Sequence, residues 1–180
     1  MLSALKRLLN PGTPSRRTIE TIYGTIVAQA REPLFYQALN VPDTVSARFD
    51  MVVLHLWLVL RRLRAVDAGG ALGQALFDQF CRDMDANLRE MGVGDLTVPK
   101  RMKKFGEAFY GRTAAYDAAL DEGRKALASA LARNVLNSHD AARAAELADY
   151  VGAGIAELDG VDGAALRDGA WRFPQPKVPA

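Results

Sequence analysis

Val45-Ser-Ala-Arg-Phe-Asp-Met-Val-Val-Leu-His-Leu-Trp-Leu-Val-Leu-Arg-Arg-Leu-Arg64 decides how the chain folds. Phe49, Met51 to Leu54, Leu56 to Leu60 and Leu63 place apolar side chains on nearly every side of a helix. A helix that is hydrophobic all round is the buried centre of a bundle. Arg61, Arg62 and Arg64 fall in its last turns, where cations suit the macrodipole. Thr44 or Ser46 opens it, and Gly69 and Gly70 end it. The apolar run Met51 to Leu60, broken by His55, is well short of the ~20 residues a membrane span needs.

The flanks supply the helices that would surround this centre. On the N-terminal side, Ser15 is an N-cap, and Ile19, Ile22, Tyr23, Ile26, Val27 and Ala30 recur at helical spacing. Pro33 should break or kink that helix, with another turn over Leu34 to Leu39. Upstream, residues 1–14 form an amphipathic segment with Leu2, Leu5 and Leu9 on one face. Lys6, Arg7, Arg16 and Arg17 make the first 19 residues basic, without an acid. That segment is either packed or frayed on the body, or a membrane-surface element. On the C-terminal side, a helix over Leu72 to Met91 carries Leu76, Phe77, Phe80, Met84 and Leu88, with Gly92 as its C′ residue. Asp95 or Thr97 caps a fifth helix running to about Leu120, with Pro99 in its first turn. A sixth covers about Arg124 to Leu136, and a seventh Asp140 to Leu158. Beyond Leu158 the pattern turns loop-like. Asp168-Gly169 is a turn signal for a short hairpin between Leu166 and Trp171, and Pro174, Pro176 and Pro179 predict an extended arm pinned by Trp171 and Phe173. The expected fold is all-α: a single compact helical bundle of about seven helices with an extended Pro-rich C-terminal arm, divided into 1–14, 15–158 and 159–180.

Composition and motifs exclude more than they assign. The chain of 180 residues suits one domain, and its net charge of +2 is too small to argue for nucleic acid from the bulk balance. Cys81 is the sole cysteine, so no intrachain disulfide forms, which suits a reducing compartment; among Phe77, Phe80 and Met84 it reads as a small buried hydrophobe. His55 and His139 are far apart and belong to no HExxH or Cys/His spacing, and His55 lies in the most apolar helix. Asp83 and Asp85 point ~200° apart on a helix and cannot share a substrate. The acidic stretch Asp159 to Asp162 lacks the oxygens of an EF-hand loop. No catalytic residue, cofactor or metal is expected, and the chain reads as a non-enzyme.

The informative cluster is basic. Lys100, Arg101, Lys103 and Lys104 crowd the first turns of the fifth helix, where cations oppose the macrodipole and Lys100 repels Lys104 at i,i+4. A locally unfavourable choice often marks a functional surface. The same helix carries Met102, Phe105, Phe109, Tyr116 and Leu120 as a core stripe, with Tyr110 and Arg112 off it. Tyr and Arg are enriched at binding hot spots. Lys100, Arg101, Lys103, Lys104, Tyr110 and Arg112 are therefore the candidate partner-binding residues.

Three blocks resemble the ubiquinol–cytochrome c chaperone family. The first runs from Val41-Pro-Asp-Thr through Arg48-Phe-Asp-Met to Leu54-His-Leu-Trp-Leu-Val. The second joins Leu76-Phe-Asp-Gln-Phe, Asp83-Met-Asp and Leu88-Arg-Glu-Met-Gly-Val-Gly-Asp-Leu. The third, and the most specific, runs from Lys100-Arg-Met-Lys-Lys-Phe-Gly-Glu-Ala-Phe-Tyr-Gly-Arg on to Ala115-Tyr-Asp-Ala-Ala-Leu. The resemblance spans about Pro33 to Leu136 and implies an all-helical, non-enzymatic assembly chaperone for respiratory complex III, with newly made cytochrome b as client. It also implies a small assembly partner and a ribosome-proximal role in mitochondrial members. The short, Ala- and Arg-rich form looks bacterial, which implies a cytoplasmic protein, either free or peripheral at the cytoplasmic face of the inner membrane. Two rival readings predict different observations: an RNA- or ribosome-binding helical module would bind with steep salt dependence, and a helical enzyme on a small apolar substrate would place convergent polar groups, His55 among them, in a pocket.

Overall fold

The computed structural model describes residues 14–67 and 70–177. The N-terminal amphipathic segment (all but Pro14) and the helix-ending Gly69 therefore lie outside the described residues. Among the described residues the chain forms eight α-helices and one 3-10 turn, with no strand.

Local chemistry sets most boundaries. Helix α1 (Arg16–Ala30) starts where the Ser15 hydroxyl accepts from the Thr18 N–H at 3.0 Å. Pro33 does not merely kink it. The chain restarts there as α2 (Pro33–Gln37), because proline at the first helical position gives up a donor that has no helical partner anyway. The Thr44 hydroxyl accepts from the Ala47 N–H at 3.2 Å and opens α3 (Val45–Val66). Helix α4 (Ala71–Glu90) is started by the Asp67 carboxylate, which accepts from the Leu72 N–H at 3.1 Å. It ends in a Schellman motif: the Val93 N–H reaches the Leu88 carbonyl at 3.0 Å, and Gly92 takes φ +77°. Gly123, at φ +101°, separates α5 (Val98–Glu122) from α6 (Arg124–Asn134).

The seventh sequence helix divides in two. Asp140 accepts from the Ala142 N–H at 2.9 Å and caps a 3-10 turn, Ala141–Ala144, which runs into α7 (Ala145–Gly160). The expected hairpin at Leu166 to Trp171 does not form. Asp162 accepts from the Ala164 and Ala165 N–H groups and opens a short helix, α8 (Gly163–Asp168), and Gly169 ends it in the left-handed conformation. Asp-Gly signals a chain reversal, and here it is a helix C-terminus rather than a hairpin turn. Arg62, which the sequence pairs only with its own helix dipole, donates to the carbonyls of Leu158 and Val161 at 2.9 and 2.8 Å and satisfies the end of α7.

Helix α3 is the axis of the bundle. Met51, Val53, Leu54, Leu56, Trp57, Leu58 and Val59 are all 1% exposed or less. Helices α1, α4, α5 and α7 pack around it, and α6 sits against α5 and α7. The C-terminal arm completes the core, since Leu166, Trp171 and Phe173 join the same apolar cluster. Gly169 is where this closure is tightest. Its φ is +74°, and an added Cβ would meet Ile22 Cγ1 at 3.1 Å. Gly169→Ala is expected to lower stability by about 1–2 kcal/mol, read from the midpoint of urea unfolding; an unchanged midpoint would mean the turn relaxes freely.

Candidate partner-binding site

The site is built on the start of α5. Lys100, Arg101, Lys103 and Lys104 are all exposed. Lys103 faces Glu107 at 3.8 Å, one turn along the helix. Lys100, Arg101 and Lys104 line a depression of about 460 Å³ with Thr97 and Phe105. Arg101 and Phe105 also belong to a second, adjoining groove of about 410 Å³ between α1, α3, α4 and α5. Its walls are Val27, Phe49, Val52, Met84 and Leu88, with Arg31, Arg48 and Arg101 around them. Phe49 and Phe105 stack across it with ring centroids 4.9 Å apart and planes inclined by 25°.

The six residues singled out from the sequence do not share one surface. By the helical repeat, Tyr110 lies about 180° round α5 from Arg101. It is 63% exposed but lines a different groove, of about 320 Å³, with Trp57, Phe77 and Phe109. Arg112 lies only about 20° from Arg101 in projection, yet it is turned inward at the middle of the bundle. Its Nε approaches Asp50 Oδ1 to 2.8 Å, and its guanidinium lies 5.8 Å from the Phe49 ring centroid. Asp50 is 5% exposed. Arg112 therefore serves an internal ion pair beneath the groove rather than an outer surface. Burial outweighs the attraction of Arg112 and pushes the Asp50 carboxyl up to about 6. The contact is an ion pair without aligned hydrogen bonds, and the buried Tyr116 hydroxyl in the field of that pair has no hydrogen-bond partner among the described residues.

Sequence reasoning missed Val27, Arg31, Val45, Arg48, Met84 and Met91 as groove residues. Val45 and Met91 carried a usable signal, being large apolar residues at helix ends outside any core stripe. Arg31 and Arg48 carried none, because arginines at such positions usually mark a solvated face.

The remaining polar groups are absorbed by the fold. His55 is fully buried; its Nδ1–H donates to the Met51 carbonyl at 2.7 Å, and its Nε2 accepts from the Tyr150 hydroxyl at 2.8 Å, the tautomer that these partners require. The rings of Phe35 and Phe173 meet it edge-on at 5.4 and 5.0 Å. Burial holds its pKa down to about 4, so the imidazole is neutral. Asp83 accepts from the Tyr23 hydroxyl at 2.9 Å, while Asp85 pairs with Arg89 at 2.7 Å. Burial raises the Cys81 thiol pKa, which makes it less reactive. Among the described residues no group of three or more His, Cys, Asp or Glu side chains is arranged to hold a metal, and no helix is long and apolar enough to cross a membrane.

Fold and geometry together define an all-helical domain with grooves on its surface and, among the described residues, buried polar groups engaged within the fold. The chain belongs to the ubiquinol-cytochrome C chaperone family, whose model matches residues 37–173. It is thus a member of a family of chaperones and assembly factors, not of enzymes. A crystal structure of the Cbp3 homolog from Brucella abortus superposes with a TM-score of 0.81 at 38% identity, covering 97% of each chain. Ubiquinol-cytochrome-c reductase complex assembly factor 1 of Xenopus laevis is 29% identical over 132 residues, 72% of this chain and 66% of its own. The mitochondrial protein CBP3 of Saccharomyces cerevisiae is 27% identical over 151 residues, 80% of this chain and 45% of its own. The chain thus spans between under half and about two thirds of the length of these curated relatives.

Proposed function

We propose that the chain is a holding chaperone in the assembly of the ubiquinol–cytochrome c reductase complex, with newly made cytochrome b as its client. The observation that carries this reading is the open groove between α1, α3, α4 and α5: an apolar floor framed by Arg31, Arg48 and Arg101, continuous with the depression under Lys100 and Lys104. Such a surface suits an apolar client segment flanked by acidic or polar groups. It would hide apolar side chains of the client until its sister subunits arrive, while the cations fix orientation and speed encounter. The separate groove at Tyr110 leaves room for a small assembly partner. Membership of an assembly-chaperone family, and the assembly factors it resembles, support the same reading.

The test is capture of cytochrome b synthesised without its sister subunits, on tagged full-length chain. Met84→Glu, which sets a carboxylate on the half-buried groove wall, should weaken capture by about tenfold or more. Alanine at Lys100, Arg101, Lys103 and Lys104 together should also weaken it, chiefly through slower association. Capture that survives both sets of changes would place the client elsewhere, and recovery of RNA or ribosomal proteins alone would favour a nucleic-acid module.

A further inference from the structure

Three of the four large apolar side chains exposed among the described residues gather at one corner of the bundle. Val45 is 71% exposed, Met91 63% and Leu96 99%. Val45 and Met91 border the groove together with Arg101. Leu96 stands next to Thr97, which shares the adjoining depression with Lys100, Arg101 and Lys104. Leu96 is not exposed by fraying. It sits in a turn closed by the Thr97 N–H donating to the Gly94 carbonyl at 2.8 Å, and Leu88 and Val98 anchor the chain on either side at 3% and 1% exposure. A fully exposed leucine held on a fixed turn buries nothing of its own chain.

The charge of this corner is equally uneven. Residues 89–104 hold five cations (Arg89, Lys100, Arg101, Lys103 and Lys104) against Glu90 and Asp95, a net +3, whereas the whole chain carries +2. Asp95 is tied to Arg89. Of the four cations at the start of α5, only Lys103 has an acidic partner among the described residues, Glu107. Crowded at a helix N-terminus, these cations repel the helix dipole and one another. An anionic surface laid over them would relieve that repulsion.

We propose that this corner, the α4–α5 turn with the first turns of α5, docks on an anionic lipid bilayer. Leu96 and Met91 enter the headgroup region, and Lys100, Arg101, Lys103 and Lys104 lie over lipid phosphates. Apolar tips surrounded by long cationic side chains suit an interface that is apolar beneath and anionic above. Single-stranded RNA would instead call for aromatic platforms, and none of the three exposed apolar residues here is aromatic. The groove shares Met91 and Arg101 with the corner, so its mouth would open at the membrane surface.

The test uses full-length chain, no client, and vesicles of phosphatidylcholine with or without phosphatidylglycerol, so its failure leaves the client reading standing. Leu96→Trp supplies a reporter against the buried Trp57 and Trp171. With phosphatidylglycerol present, its emission should shift to the blue and be quenched by brominated acyl chains; with phosphatidylcholine alone it should do neither. Each Lys→Gln change at 100, 103 or 104 should lower vesicle partition about fivefold, and Leu96→Glu, at a position too exposed to disturb the fold, by about tenfold or more. No binding to anionic vesicles overturns the proposal. So does binding without a spectral shift, binding indifferent to all these substitutions, or binding abolished only by removing residues 1–14.

Discussion

Arg112→Ala is expected to destabilise the fold by about 3–5 kcal/mol near pH 8, and the loss should shrink as the pH falls towards 5. Among the described residues the guanidinium is the one cation beside Asp50, at 2.8 Å, and Asp50 is 5% exposed. Without it the carboxylate must stay buried and unpaired or take up a proton. The sign follows from the shift. Asp50 titrates near 3.8 when unfolded and at about 6 when folded. Its contribution to stability is therefore fully present below about pH 4 and is lost as the pH rises through 6. Loss of Arg112 removes the attraction that lowers this pKa and moves it higher still. The penalty then continues to grow across the neutral range, where the natural chain has already levelled off. His55 works in the opposite direction: held at about 4 from a usual 6.5, it contributes fully above 6.5, and that contribution fades as the pH falls through 4. His55 is common to both chains and cancels in the difference. Urea unfolding of both at pH 5 and pH 8 measures the effect. A difference under about 1 kcal/mol at both values would mean water reaches Asp50 and the ion pair behaves as a surface pair. Asp50→Leu with Arg112→Met should recover most of the loss, since an apolar pair of similar volume often replaces a buried ion pair without penalty.

This ion pair also marks how far the sequence could be read. The all-round apolar helix at Val45 to Arg64 correctly announced the axis of the bundle, because helix amphipathicity is a local property. The caps at Ser15, Thr44 and Gly92 were legible for the same reason. Three kinds of feature were not. Asp168-Gly169 signals a reversal in either a hairpin or a helix C-terminus, and only packing against Ile22 selects the second. Arg112 off the α5 stripe looks like an interface residue until Asp50, more than 60 residues away in the chain, is found opposite it. The groove needs four helices at once: Val27, Phe49, Met84 and Phe105 come from separate elements, and no spacing rule connects them. The basic start of α5 was visible because it violates a local preference, whereas the apolar groove beside it arises only from tertiary packing.

A chain ending at Gly169 should lose about 5 kcal/mol or more, enough to leave little folded protein at ordinary temperature. Residues 170–177 have no regular structure, yet Trp171 and Phe173 are each 5% exposed. The Trp171 indole N–H donates to the Leu166 carbonyl at 3.2 Å, and Gln29 Nε2 donates to the Pro174 carbonyl at 3.1 Å. The Phe173 ring meets Trp171 edge-on at 5.1 Å and closes the wall around His55. Burying either aromatic is worth about 3–5 kcal/mol by truncation; the two lie in contact, so their losses will not simply add. Removing the arm would also open the chain of hydrogen bonds from Gln29 through Tyr150 to His55 and Met51 to water. A wetted His55 regains its ordinary pKa and no longer makes stability fall in acid, so the deficit of the truncated chain should be largest at pH 7.5 and shrink by pH 5.5. Thermal unfolding followed by circular dichroism at pH 7.5 and 5.5 tests both points, with Phe173→Leu as a milder probe that keeps the backbone in place. Melting within a few degrees of the full chain would show the arm to be an appendage. The family match ends at residue 173, the second of the two aromatics, which fits an arm that closes the core rather than one that trails from it.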